Sequence, residues 1–223
     1  MSNSLFSFDK KKLENYSFII GTDEAGRGPG AGPVFSAAVC FPNIDKKIIS
    51  LLHKVNDSKK LNEKTREELF DLIKNNSIYH IDYASVEEIE KLNILQASLL
   101  SMKRCCEKVI LKLETSNVKL LIDGNKNIPK FNYPQEFIIK GDSNSASIAA
   151  ASILAKVSRD RFMKEIAKEH PQYNWKQNKG YLTAQHLQAI DDFGITKWHR
   201  KKFLEKHFTK TEQKTLHLCL KNG

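Results

Sequence analysis

The sequence has no run of 18 or more apolar residues, which excludes a membrane-spanning helix. Its start, Met-Ser-Asn-Ser-Leu-Phe-Ser-Phe-Asp-Lys, lacks the basic residues and long apolar centre of a secretory signal, so a cytoplasmic location is expected. Cysteine is scarce: the four thiols (Cys40, Cys105, Cys106, Cys219) show no C-x-x-C spacing and no zinc pattern. Cys105 and Cys106 fall in an apolar helical stretch and read as reduced and buried. No G-x-x-x-x-G-K-[ST] run is present, which removes a P-loop. Gly26, Gly28, Gly30 and Gly32 do not fit G-x-G-x-x-G, and no helical pattern follows them, which argues against a dinucleotide site. None of the seven histidines pairs with a Ser or Cys motif. His186, His199 and His207 fall in a basic helical region and read as surface or nucleic-acid contacts. Internal repeats and low-complexity linkers are also missing.

What remains is 223 residues, enough for one medium domain with at most a small appendage, and 40% hydrophobic content, enough for a core. The formal charge of +10 is unevenly spread, since residues 151–223 hold 15 Lys and Arg against 7 Asp and Glu. A basic surface favours polyanions, nucleic acid foremost. Charge indicates a partner class and leaves the chemistry open.

The elements read in order. Residues 1–15 are a polar, loosely tied lead-in. Phe18 to Gly21 is a strand, and Val34 to Phe41 is a second, joined to it by a glycine loop and therefore antiparallel. Ile48 to Leu52 suits a short helix. Asn62 caps a helix with Leu69, Leu72 and Ile73 on its apolar face. Ile78 to Ala84 is a third strand. Ser85-Val-Glu-Glu88 is a capping box that opens a helical stretch, restarting near Asn93 and apolar at Leu95, Leu99, Met102, Cys106, Val109 and Leu113. Strands at Val118–Asp123 and Phe137–Lys140 follow. A small-residue-rich helix then runs from Ala146 towards His170, suited to tight packing on a sheet. Thr183 caps a helix ending near Gly194, and Thr196 caps another through Phe208. The tail from Thr209 has no strong pattern.

Three apolar strands end in acid: at Asp23-Glu24, at Asp123, and at Asp142 after Gly141. One such ending is only a turn signal. Three become a site if the first, fourth and fifth strands are neighbours pointing the same way, because ligands of α/β sheets bind beyond the carboxyl ends of strands. Carboxylates with no His or Cys cluster select the hard cations Mg²⁺ or Mn²⁺ over zinc. Two such ions roughly 4 Å apart can activate water and stabilise a leaving oxygen in phosphodiester hydrolysis. Asp23 and Asp123 have short, stiff side chains at strand ends. Glu24 points away from Asp23 unless the chain turns there. Asp142 precedes a helix and serves equally well as a cap. Arg27, in the glycine loop, is a fork-shaped donor suited to phosphate.

The runs Asp23-Glu-Ala-Gly-Arg-Gly28, Asp57-Ser-Lys-Lys-Leu61, Leu121-Ile-Asp-Gly124, Lys140-Gly-Asp142, Ala150-Ala-Ser-Ile-Leu-Ala-Lys156 and Lys179-Gly-Tyr181, in that order, resemble bacterial ribonuclease HII over about residues 17 to 205. The resemblance implies an α/β RNase H-like fold: a mixed five-stranded sheet flanked by helices, with a C-terminal helical extension. The catalytic core would span 1–170 and the substrate-binding extension 171–223, as one compact monomeric unit. It implies Mn²⁺- or Mg²⁺-dependent endonucleolytic cleavage of RNA in RNA–DNA hybrids and beside single ribonucleotides in duplex DNA, leaving 3′-hydroxyl and 5′-phosphate ends. Asp23, Glu24, Asp123 and Asp142 match the family's four carboxylates. Gly26, Arg27, Gly28 and Tyr181 match its readers of the ribose 2′-hydroxyl, and Lys59 a phosphate contact. The sequence departs from the family pattern at Leu182, usually proline, and at Gly30, usually apolar. Ribonuclease HIII carries an extra N-terminal domain and a different glycine loop, and only about 17 residues precede the first strand here. The rival readings are a non-catalytic nucleic-acid-binding module and another nuclease of this fold acting on DNA.

Overall fold

The structure, a computed structural model, describes residues 4–13, 15–43 and 62–209. The expected Ile48–Leu52 helix, the Asp57–Leu61 motif with Lys59, and the tail after Thr209 lie outside these residues. The chain opens with helix α1 (Ser4–Leu13), followed by strands β1 (Phe18–Ala25) and β2 (Val34–Cys40). Helix α2 (Glu63–Asn76), β3 (Ile78–Ala84), α3 (Val86–Leu92), α4 (Ile94–Leu113), β4 (Val118–Asp123) and β5 (Gln135–Ile138) come next. The long helix α5 (Ala146–Glu169) then leads to the short α6 (Trp175–Asn178), α7 (Ala184–Phe193) and α8 over 201–209.

The five strands form one mixed sheet in the order β3-β2-β1-β4-β5. β1 pairs antiparallel with β2 and parallel with β4, and β4 pairs parallel with β5. The first, fourth and fifth strands are therefore adjacent and run the same way. β2 is buried along its whole length, and its side chains alternate between two cores. Ala37 and Val39 pack with α5, α2 and α1, while Ala38 and Cys40 pack with α4. Cys40, Cys105 and Cys106 are buried free thiols, as the apolar setting of the latter two implied.

Local signals account for the helix ends. Asn62 accepts from Thr65 N, and Ser85 and Glu88 complete the capping box. Asn93 (φ 70°) both closes α3 and caps α4, which produces the restart. Small residues let α5 lie close on the sheet: a Cβ on Gly21 would fall 2.3 Å from Ile148 N. Ser145 caps α5, and Asp9 reaches from α1 to accept from both Ser147 N and Ser147 Oγ.

Four expectations need correction. The fifth strand runs Gln135–Ile138 and stops short of Lys140, where a left-handed φ of 54° turns the chain into the Gly141–Ser143 3-10 turn. The N-terminal segment is an ordered helix, α1, with Leu5 and Phe6 buried in the core; their spacing among polar residues is too short to register as a pattern. β1 runs through Ala25, so the chain does not turn at Glu24. Thr196 closes a turn, bonding Trp198 N and His199 Nδ1, and α8 begins only at residue 201.

Candidate active site

The strand registers bring the acidic ends together. Thr22 stands beside Ile122, so Asp23 and Asp123 are the next pair along neighbouring parallel strands. Asp123 pairs with Ile138, and the chain returns from β5 to put Gly141 N 2.6 Å from Asp123 Oδ1. Asp142 follows in a single 3-10 turn, Gly141–Ser143, and is 4% exposed. Asp23 is 5% exposed, and one of its carboxylate oxygens accepts from Glu24 N at 2.7 Å. All four sequence-selected carboxylates thus sit at one rim of the sheet. The cap of the helix beyond Asp142 is Ser145, so Asp142 does not cap it.

The electrostatics of this rim are unfavourable for protein alone. Burial, then the negative charges of Glu24 and Asp123, push the Asp23 carboxyl well above the usual carboxylate range. A hydrogen bond from Ser152 of α5 opposes that rise. Burial also raises Glu24, against the pull of Arg27, which donates to its Oε1 at 3.3 Å. Such a cluster is a hard-oxygen donor set that a divalent cation would neutralise. Among the described residues, no three His, Cys, Asp or Glu side chains are already gathered as an ion's ligands.

Beside the carboxylates opens a cleft of about 370 Å³, lined by Glu24, Gly26, Arg66, Ser152, Lys156 and Tyr181 among others. Tyr181 is half exposed, and its ring lies against Gly28, where a Cβ would meet it at 3.3 Å. Gly26 has φ +105°, and a Cβ there would lie 2.1 Å from Arg159 Nε. Only glycine fits, on conformation and on space alike. The two positions that break the family pattern face each other: a Cβ on Gly30 would fall 2.5 Å from Leu182 Cδ2. Leu182 occupies the room that Gly30 leaves, and the loop bearing Tyr181 stays packed.

Two buried arginines shape the glycine loop, and sequence reasoning passed over both. Arg200 is fully buried and donates to the carbonyls of Gly26, Arg27, Pro29 and Gly32. Arg159 donates to the carbonyls of Ala31, Pro33 and Lys179. The backbone carbonyls of the loop thereby stabilise two desolvated cations, and the cations fix the loop. Arg200 sits in the run Lys-Trp-His-Arg-Lys-Lys, which looks like solvated charge, and no local signal marks it as buried. His186 and His199 are likewise buried, at 0% and 2% exposure, where surface contacts were expected. His207 pairs with Asp191 at 2.7 Å.

Comparison with known proteins gives a consistent result. The family model for ribonuclease HII matches residues 20–211. A ribonuclease HII of Pelagibacter ubique is 53% identical over 186 residues, 83% of this chain and 95% of the relative. One from Fusobacterium nucleatum is 46% identical over 216 residues, 96% of this chain and 97% of the relative. Among solved structures, the ribonuclease HII of the Archaeoglobus fulgidus PCNA complex superimposes with a TM-score of 0.66 at 24% identity, covering 82% of this chain and 93% of its own. Bst-RNase HIII in complex with Mn²⁺ gives 0.66 at 18% identity, covering 86% and 70%. At those identities the two structures speak for the fold.

Proposed function

The chain belongs to the ribonuclease HII family and is a ribonuclease H, and from that premise we propose that it cuts 5′ of single ribonucleotides in duplex DNA as well as within hybrids, using two divalent cations. The observation that carries this reading is the meeting of Asp23, Glu24, Asp123 and Asp142 at one rim, beside a cleft walled by Gly26 and Tyr181.

Asp23, Glu24, Asp123 and Asp142 would hold the ions, Mn²⁺ or Mg²⁺. When bound, these ions supply an activated water and charge stabilisation at the leaving oxygen. The chain's own residues do the rest. The backbone of Gly26 and Gly28 and the Tyr181 phenol meet the ribose 2′-hydroxyl, the group that distinguishes RNA from DNA at one position. Arg27, nearly half exposed beside Glu24, is free to turn towards a phosphate. Lys156 and Arg66, on the wall of the cleft, face the backbone of the same duplex. Ser152 steadies the Asp23 carboxylate before the ions arrive. Residues 1–170 act as the catalytic core and 171–223 as the extension that closes on substrate, in a monomer. Buried, reduced Cys40, Cys105 and Cys106 suit the reducing cytoplasm.

Incubation with a duplex carrying one ribonucleotide, with and without Mn²⁺, followed by end-group analysis, tests the reaction. The expected products bear 3′-hydroxyl and 5′-phosphate ends. Asp123→Asn is expected to abolish cleavage, a loss of roughly 10³-fold or more, while hybrid binding survives, because the ions are lost and the basic surface is not. Retained cleavage in that variant would remove the two-ion reading.

A further inference from the structure

His186 and His199 take no part in the chemistry above, yet they are buried against the stacked rings of Tyr173 and Trp175. Their partners determine where each proton sits. The Thr196 N–H can only donate, and it lies 2.9 Å from His199 Nδ1, so neutral His199 carries its proton on Nε2. The Thr196 hydroxyl, 3.1 Å from the same nitrogen, can donate as well. The Trp175 Nε1–H can only donate, and it lies 3.0 Å from His186 Nε2, so His186 carries its proton on Nδ1. That proton meets the carbonyl oxygen of Tyr181 at 2.9 Å, a group that can only accept. The two Nε2 atoms are 3.2 Å apart, with His199 donating and His186 accepting.

Each end of this relay is anchored to one half of the proposed ribose reader. His199 pairs with Ala31 of the glycine loop, flanked by Gly32 N to Trp198 O and Arg200 N to Gly30 O, both 2.8 Å. His186 holds the Tyr181 carbonyl, while Gly180 O accepts from Gly30 N and Ala31 N. We propose that His186 and His199 are positioning residues that hold the Tyr181 turn at a fixed spacing from the Gly26–Gly28 backbone and so set selectivity for a single ribose. This rests on the reading of Tyr181 given above.

The relay works only with neutral rings. A second proton on His199 would set Nδ1–H against the Thr196 N–H, and one on His186 would set Nε2–H against the Trp175 N–H. Among the described residues, the titratable groups facing the pair from other elements are Tyr173 and, through its charge on His199, His170, and neither brings negative charge. Burial holds both imidazoles below their ordinary value.

The test is a double-mutant cycle on the full chain with Mn²⁺, comparing a duplex bearing one ribonucleotide with a long hybrid. His186→Phe is expected to lower kcat/KM on the embedded ribonucleotide roughly 10- to 100-fold, the scale of a misplaced contact, and to affect the long hybrid far less. In a Tyr181→Ala background the same change is expected to cost only about twofold more, because it acts through Tyr181. His186→Asn keeps an N–H aimed at the Tyr181 carbonyl and is expected to stay within about threefold of wild type, which keeps the question answerable should the Phe variant fold poorly. Multiplying losses in the double variant, equal losses on both substrates, or no recovery by Asn would each overturn the positioning role. Undiminished selectivity in Tyr181→Ala alone would overturn the reading of Tyr181 itself, and that result is visible without any histidine variant.

Discussion

Asp23 occupies a place where a lone carboxylate is costly: it is buried, and Glu24 and Asp123 carry the same charge nearby. Its folded pKa lies above the unfolded value of about 3.8, so the folded protein holds more protons between those two values, and stability falls as pH rises through that window. Asp23→Asn is therefore expected to raise the Tm of chelator-treated protein by roughly 2–4 °C, on the order of 1 kcal/mol, at neutral pH. Thermal melts in EDTA check this. The gain in Tm from added Mn²⁺ should be larger at neutral pH than at pH about 5, for the same reason. Asp23 and Asp123 were legible in the sequence because an acid that ends an apolar strand is a local event. Glu24 was tied to a turn that the strand does not make, and Asp142, in a 3-10 turn beyond the fifth strand, reads equally well in the sequence as a helix cap. Arg159, Arg200, His186 and His199 were not legible, because their burial is imposed by segments far along the chain.

At the scale of elements, the contact that aims the site is α5 on β1. The Gly21 position is closed by the backbone of Ser147 and Ile148, which cannot swing aside. Gly21→Ala is expected to destabilise by about 2–3 kcal/mol, since helix and strand must separate to admit the methyl. The fall in the urea midpoint reads this. The second such contact is the segment around Arg200 clamped on the glycine loop. Arg200→Lys offers a single ammonium for four carbonyls and is expected to cost about 2 kcal/mol or more, with selectivity for the embedded ribonucleotide reduced. Strands and caps were readable from alternation and from Asn62, Ser85, Asn93 and Thr183, each of which acts within a few residues. Helix α1 escaped notice because its helical role depends on seating Leu5 and Phe6 in a core built by later elements.

For the molecule as a whole, the charge of +10 and the basic C-terminal third favour a polyanionic partner. Binding to a hybrid is expected to weaken roughly 10- to 1000-fold between ~50 and ~200 mM salt, measured by fluorescence anisotropy with Asp123→Asn to prevent cleavage. A flat response would contradict the basic-surface argument. The sheet order, with β1 beside β4 and β4 beside β5, was anticipated only as a condition for the acids to meet, since strand adjacency is a long-range outcome. Arg200 grips the carbonyl of Gly26 from 174 positions downstream. On the ribosome, the nascent polypeptide can complete its sheet and gather its acids while the glycine loop still waits for its clasp. A message cut short before the codon for Trp198 would yield a product whose sheet is complete but whose Gly26, Arg27, Pro29 and Gly32 carbonyls have lost the guanidinium that gathers them.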